Sequence, residues 1–216
     1  MIKENIEKIL KELPPGVELV AAAKGRSVGQ IEEAIEAGIT LIGENYIKEA
    51  EAKFILLGSK LKWHLIGHLQ KNKAKTAVKI FDMIETLDSI ELGEAIDLEC
   101  KKINKIVPVL IEVNSASEPQ KYGVLPENVE GFVKEILRLN NLKLMGLMTM
   151  GPKVSAEGKV RPFFKKTKEV FDKIKNAYED RLSWDYLSMG MSDTYKAAIA
   201  EGANIVRVGT AIFGRG

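Results

Sequence analysis

The chain has 216 residues, and its 32 Lys and Arg residues nearly balance its 30 Asp and Glu residues, leaving a formal net charge of +2. A surface with both signs in near balance offers no excess positive charge to a polyanion, which argues against nucleic acid as the main partner. The N-terminus alternates charged residues with isoleucine, and no apolar run is long enough to span a membrane. We therefore expect a cytoplasmic protein without membrane contact, and its single cysteine, Cys100, fits a reducing compartment.

The first predicted element is an amphipathic helix, with Ile6, Ile9, Leu10 and Leu13 at helical spacing before Pro14. After it, eight short apolar segments alternate with longer amphipathic ones. The predicted strands are residues 17–23, 39–42, 63–66, 83–87, 107–113, 144–148, 186–189 and 205–208. The predicted helices are residues 28–36, 47–57, 72–78, 90–103, 126–139, 163–178 and 193–201.

Strands that alternate with helices pair in parallel, and eight such units without Pro/Gly/Ser-rich linkers favour closure into a barrel. We predict an α/β fold, a single-domain (β/α)₈ TIM barrel over residues 1–216 with an extra N-terminal helix. An open doubly wound sheet is the alternative. The segments 115–123 and 151–161 are the expected flexible loops.

Lys24 directly follows the small apolar residues that end the first strand. Active sites of these barrels are built at the carboxyl ends of the strands. A partly desolvated lysine has a lowered pKa, and its neutral amine attacks an aldehyde to form a Schiff base. The alternative is an ordinary surface lysine in a loop.

Polar residues also follow the second and third strands. Asn45 either caps the next helix or hydrogen-bonds a ligand. His64 and His68 are four residues apart, but on a strand and a loop this spacing does not bring them to one helical face. We therefore expect no metal site, and a buried, hydrogen-bonded His64.

The segments 188–193 and 206–210 follow the seventh and eighth strands, where barrels commonly bind phosphate through loop amides. Gly190 and Gly209 let the backbone approach an anion, and the hydroxyls of Ser188 and Thr210 are expected to donate to phosphate oxygens. Alternatively, the segment 188–193 only caps the following helix, through its Ser192 or its Asp193.

Arg207 is a lone charge in an otherwise apolar final strand, where it is costly unless it faces a partner. If that partner is a pyridine nitrogen, the permanent charge of Arg207 keeps the nitrogen unprotonated. The alternative is an internal ion pair with Glu44 or Asp193.

Six motifs, taken in order along the chain, resemble the pyridoxal phosphate homeostasis protein family, also called proline synthase co-transcribed proteins. The resemblance runs from about residue 17 to residue 214, and its motifs are specific. They are residues 23–24, 43–46, 63–73, 146–148, 188–193 and 206–214.

The resemblance implies an alanine racemase-like barrel of fold type III that carries pyridoxal 5′-phosphate (PLP) on Lys24 as an internal aldimine. In the family pattern Arg207 faces the pyridine nitrogen, Asn45 lies beside the cofactor, and the remaining site residues cradle the phosphate. The implied cofactor-binding residues are Lys24, Asn45, Ser188, Gly190, Arg207, Gly209 and Thr210.

The resemblance also implies a monomer that buffers PLP or delivers it to apo-enzymes. Alanine racemases of this fold add a second β domain and a tyrosine from the partner subunit, and we expect neither here, so a two-base mechanism would lack half its apparatus. A low-activity amino-acid racemase and a barrel enzyme that forms a Schiff base with a sugar phosphate are the alternatives. The sequence departs from the family pattern at Gly25 and Tyr122, which we expect to alter access and exchange.

Overall fold

Eight parallel strands, hydrogen-bonded in chain order from β1 to β8 and back to β1, close into a barrel. This computed structural model describes residues 1–152, 157–178 and 182–214. The strands are β1 Glu18–Ala22, β2 Leu41–Glu44, β3 Lys62–Leu65, β4 Met83–Leu87, β5 Val107–Glu112, β6 Leu142–Met148, β7 Tyr186–Ser188 and β8 Ile205–Val208.

Helices surround the barrel, and one of them precedes the first strand, so the predicted (β/α)₈ architecture with an N-terminal helix is confirmed. In the described part of the chain none of the helices has the length and apolar content needed to cross a bilayer. The helices are α1 Ile2–Glu12, α2 Val28–Glu36, α3 Ile47–Leu57, α4 Ala74–Ile80, α5 Ile90–Lys102, α6 Val129–Ile136, α7 Glu157–Ala177, α8 Tyr195–Ala200 and α9 Thr210–Phe213.

The start of α7 differs from its prediction. The sequence predicts a loop over residues 151–161 and a helix over residues 163–178. Instead α7 begins at Glu157 and contains Pro162. Val160 and Phe164 are buried on either side of the proline, and their burial offsets the hydrogen bond that proline removes. The loop prediction is therefore wrong from residue 157 onward, and its residues 153–156 lie outside the described part of the chain.

Apolar side chains form two layers, one on each face of the sheet. Leu19 and Ala21 belong to a large cluster shared with the helices, whereas Val20 belongs to a smaller cluster inside the barrel. This is the alternation expected along a strand, since successive side chains point to opposite faces. The interior cluster comprises Val20, Leu41, Ile66, Met83, Leu110, Met145, Met148 and Ile205.

A four-residue turn joins β1 to α2 and carries Lys24. The amide of Arg26 donates to the carbonyl of Ala23 at 3.0 Å, and Gly25 between them has a φ of +68°. A left-handed residue at the third position of such a turn is a type II feature, and glycine adopts it without steric cost. The turn ends where Ser27 and Gln30 form a capping box at the start of α2. Gly25 therefore sets the shape of the segment that presents Lys24.

Candidate functional site

Lys24 and the segment after β8 lie side by side at the carboxyl edge of the barrel, the edge where all eight strands end. β1 and β8 are neighbours, with Ala21 paired to Val208, so Lys24 and Gly209 leave the sheet at the same edge. Lys24 is exposed, and its Nζ lies 5.1 Å from the ring centroid of Tyr46, which follows β2. The predicted lysine thus stands next to the predicted phosphate segment.

Two backbone amides after β8 converge on one oxygen atom. The amides of Gly209 and Ala211 both donate to Oγ of Ser192, at 3.2 and 3.1 Å. Donors that meet on a single oxygen have the arrangement that an anion oxygen requires. The alternative that Ser192 or Asp193 caps α8 is wrong, since α8 begins at Tyr195 and the hydroxyl of Ser192 instead accepts the amides that follow β8.

Gly190 is held by packing against α8. Its φ is +89°, and a Cβ there would lie 2.6 Å from Cβ of Ala198 and 2.8 Å from Cα of Tyr195. Because this φ favours glycine and the space is filled, no other residue fits without moving the helix. Gly190 therefore brings the start of α8 against the end of β7, directly before Ser192.

The side chains of Arg207 and Ser188 lie inside the barrel. Nη1 of Arg207 donates to Oγ of Ser188 at 2.6 Å, and its Nη2 donates to the carbonyl oxygen of Thr149 at 2.8 Å. The hydroxyl of Ser188 in turn donates to Oε2 of Glu85 at 2.6 Å, and that carboxylate oxygen lies 3.9 Å from Nη1 of Arg207. Arg207 is thus fixed by side chains and backbone from three other strands or their ends.

The charge partner of Arg207 is Glu85. The alternative of an ion pair with Glu44 or Asp193 is wrong, because Glu44 binds Lys53 at 2.6 Å and Asp193 is exposed, whereas Arg207 is buried. Burial alone raises the pKa of Glu85, but hydrogen bonds and charges from His64, Arg207 and Ser188 outweigh it and hold that pKa below its ordinary value. Oε1 of Glu85 lies 2.7 Å from Nδ1 of the buried His64, so the prediction of a hydrogen-bonded His64 is confirmed.

A second interior carboxyl group, that of Glu112, ends β5. Burial and the neighbouring charge of Asp88 raise its pKa to about 7, while Arg207 acts in the opposite direction. The side chain is 9% exposed. Near neutral pH, Glu112 therefore exchanges a proton close to the buried guanidinium of Arg207.

The segments that follow the second and third strands line a cavity of about 750 Å³ at the carboxyl edge. Asn45 and Tyr46 line one side of it, and His68 and Tyr122 line another. The rings of His68 and Tyr122 stack, with centroids 3.6 Å apart and planes inclined by 10°, and Nδ1 of His68 lies 3.1 Å from Asp88. Tyr122, one of the two departures from the family pattern, therefore lines this cavity.

The family model of the alanine racemase N-terminal domain matches residues 1–215. A pyridoxal phosphate homeostasis protein of Aquifex aeolicus is 38% identical over 217 residues, covering 99% of this chain and 94% of the relative. The protein of that name from Haemophilus influenzae is 36% identical, covering 99% and 92%. The chain belongs to the pyridoxal phosphate homeostasis protein family. The resemblance inferred from the motifs is confirmed.

Solved structures agree with this membership of the pyridoxal phosphate homeostasis protein family. PipY of Synechococcus elongatus superposes with a TM-score of 0.93 without PLP, at 33% identity over 99% of this chain and all of PipY. With PLP bound, PipY gives a TM-score of 0.91 at 31% identity. An alanine racemase of Clostridium difficile gives 0.81 at 16% identity, covering 59% of that chain, which shows a shared fold alone.

All seven predicted site residues lie in strands β7 and β8 or directly after strands at the carboxyl edge, but at two depths. Five follow their strands, and two, Ser188 and Arg207, are buried in β7 and β8. Sequence reasoning missed Glu85, although it is the one charge in the apolar segment 83–87, the same signal that identified Arg207. It also missed the contact between Ser192 and the residues that follow β8, for which no local signal exists.

Proposed function

We propose that this protein binds PLP through the amine of Lys24 and holds it reversibly, and so takes part in the homeostasis of the cofactor in the cytoplasm. The observation that carries the proposal is the pair of convergent amides, Gly209 and Ala211, beside an exposed lysine across the junction of β1 and β8. The site thus offers an amine and an anion cradle on neighbouring strands. The names of the relatives and the PLP-bound PipY structure support the same ligand.

The residues present fit the parts of PLP. Its aldehyde condenses with a lysine amine, which is the chemistry that the cofactor supplies when bound. For the phosphate, we assign the amides of Gly209 and Ala211, the hydroxyl of Ser192 and the exposed hydroxyl of Thr210. Gly209 has no side chain to block an anion from its backbone amide. It also packs closely on β1, since a Cβ there would lie 3.3 Å from Cβ of Ala22.

For the pyridine ring, we assign Arg207, with Asn45 beside it. The guanidinium of Arg207 is always charged and is held in place by Ser188, Thr149 and Glu85. A fixed cation at the ring nitrogen disfavours protonation of that nitrogen and thereby weakens the ring as an electron sink. Such a site favours holding the cofactor over rapid carbanion chemistry. Because the hydroxyl of Ser188 is already shared between Arg207 and Glu85, we assign Ser188 to orienting Arg207.

Reversible holding requires that the lysine remain reachable. Lys24 is exposed, and Tyr46 beside it lines the cavity of about 750 Å³ at the carboxyl edge. An incoming amine from solvent or from a recipient protein therefore has a route to the site. On this basis we extend the proposal to delivery of PLP to apo-enzymes.

The test is to add PLP to the purified protein, record the absorbance spectrum, reduce with borohydride and map the labelled peptide by mass spectrometry. We expect one label, on Lys24, and none in Lys24→Ala. The matched control is Lys62→Ala, an exposed lysine at the opposite end of the barrel, which should label as the wild type does. Labels scattered over surface lysines would overturn the proposal. Specific incorporation of a sugar phosphate, or steady racemisation of an amino acid that depends on Lys24, would replace holding with one of the two enzymatic alternatives.

A further inference from the structure

A buried lysine on α3 contacts the backbone of the turn that carries Lys24. Nζ of Lys53 donates to the carbonyl oxygen of Ala23 at 2.7 Å and to Oε1 of Glu44 at 2.6 Å. Lys53 is 8% exposed and Glu44 is fully buried. A buried ammonium needs both a charge partner and further hydrogen bonds, and here one of those bonds is made to the peptide group directly before Lys24.

Glu49, one helical turn before Lys53, contacts the peptide group on the other side of Lys24. Its Oε2 accepts a hydrogen bond from the amide of Gly25 at 2.9 Å and lies 3.6 Å from Nζ of Lys53. The carbonyl of Ala23 and the amide of Gly25 belong to the two peptide groups that flank Lys24. Both planes are therefore fixed by one connected set of charges, Glu44, Glu49 and Lys53, which we name the turn clamp.

Burying the charges of the turn clamp costs free energy that a purely structural role does not explain. Among the described residues, Oε2 of Glu44 has no hydrogen-bond partner although it is buried, and burial raises the pKa of this carboxyl group. Replacing a buried ion pair by apolar residues is often neutral or stabilising, so stability alone does not explain the arrangement. What the clamp adds is control of a turn whose left-handed Gly25 would otherwise leave a flexible backbone.

We propose that Glu44, Glu49 and Lys53 are positioning residues that fix the backbone on both sides of Lys24, so that its amine meets the aldehyde of PLP in one orientation. This inference rests on the proposed function. The clamp does not touch the cofactor; it acts through the direction in which the Lys24 side chain leaves the turn. A reacting group displaced by about 1 Å loses up to about 100-fold in rate, so loss of the clamp should slow capture of the cofactor.

The test uses Glu49, because Lys53→Met would leave Glu44 buried and unpaired and risks unfolding the barrel. In Glu49→Leu, we expect the Gly25 amide of the PLP-free protein to exchange with deuterium at least about tenfold faster. We also expect capture of PLP by Lys24, followed by borohydride trapping, to slow about tenfold or more. Glu49→Gln keeps an acceptor oxygen and should restore both rates. Glu51→Leu, the same change at an exposed site on α3, is the matched control and should behave as the wild type.

A second probe separates orientation from reactivity of the amine. Formaldehyde with cyanoborohydride methylates lysine without needing the phosphate cradle, so methylation of Lys24 should stay within about twofold of the wild type in Glu49→Leu if the clamp only orients the side chain. Equal slowing with formaldehyde and PLP, or wild-type rates of exchange and capture in Glu49→Leu, would overturn the proposal. If the wild type itself fails to capture PLP at Lys24, the proposed function fails, while deuterium exchange at Gly25 still reports whether Glu49 holds the turn.

Discussion

Ser188 and Ser192 are four residues apart, yet their hydroxyls serve different parts of the site. Ser188 is buried and links Arg207 to Glu85, whereas Ser192 is partly exposed and accepts the amides after β8. The first therefore completes an interior charge network, and the second lies among the groups to which we assign the cofactor phosphate.

This difference predicts that two alanine substitutions affect different properties, one the stability of the fold and the other the binding of PLP. Ser188→Ala leaves buried charged groups short of a partner and should lower the free energy of unfolding by about 1.5–3 kcal/mol. Ser192→Ala should have a smaller effect on stability but weaken PLP binding about tenfold, which corresponds to about 1.4 kcal/mol. Urea unfolding and spectroscopic titration with PLP measure the two quantities. Weakened binding in Ser188→Ala with unchanged stability would return Ser188 to the phosphate cradle.

At the level of single residues, the sequence predicted which groups matter better than it predicted their partners. Arg207 was identified because a lone charge in an apolar strand requires compensation, and this holds. Its partner was assigned wrongly, because Glu85 is 122 positions away on the far side of the barrel and no local pattern links the two. The clamp on Lys24 was missed for the same reason, since Lys53 looks like one of many helix lysines.

Among the elements, β6 has an irregular pairing that requires glycine at position 146. Its pairing with β5 passes from Val109–Leu144 directly to Leu110–Gly146, so Met145 is an extra residue in the strand. Such irregularities bend a strand and often need glycine. Gly146 has a φ of +152°, and a Cβ there would lie 2.8 Å from the carbonyl carbon of Tyr186 on β7.

We therefore expect Gly146→Ala to destabilise the protein by about 3 kcal/mol or more, because the new methyl group meets the backbone of β7. Gly131→Ala is the matched control. It lies within α6, a Cβ there meets nothing within 4 Å, and the change should stabilise by about 0.5–1 kcal/mol through helix propensity. Urea unfolding of both variants checks the pair, and similar stabilities for the two would contradict the assignment of strain to β6.

Periodicity predicted the elements well where local signals agree with packing. The bounds of α2, α3, β4 and β8 match the predicted ranges, because turn or capping residues border each of these elements. The bounds of α7 did not follow from the sequence, because the burial of Val160 and Phe164 carries the helix through Pro162. Tertiary contacts of this kind carry no sequence signature.

On the scale of the whole molecule, the interior of the barrel holds ionisable groups that link stability to pH. Glu112 has a pKa raised from 4.5 to about 7, with burial as the main cause. An acid of this kind binds its proton more tightly in the folded chain than in the unfolded chain. Its contribution to stability is therefore present below about pH 4.5 and is lost as the pH rises towards about 7.

Glu112→Gln should remove this dependence, because the amide resembles the protonated acid at every pH. Since one pKa unit corresponds to about 1.4 kcal/mol, we expect the stability of the variant relative to the wild type to increase by about 3 kcal/mol between pH 4 and pH 8. Denaturant unfolding across this range measures the difference. Glu127→Gln, the same change at an exposed site, is the matched control. A flat difference for Glu112→Gln would mean that this carboxyl group ionises freely in the folded barrel.

The closure between β1 and β8 also bears on the order in which the molecule assembles during synthesis. β1 pairs with β8, the side chain of Asn5 donates to the carbonyl oxygen of Ile212 at 2.9 Å, and Arg26 donates to that of Gly214 at 2.7 Å. On the ribosome, the first strand therefore has an open edge until β8 has been translated. Contacts between such distant parts of a chain form slowly, and an open strand edge invites mispairing meanwhile. Lys24 and the amides to which we assign the phosphate come together only when β8 pairs with β1, so a nascent chain lacks the complete proposed site before that step.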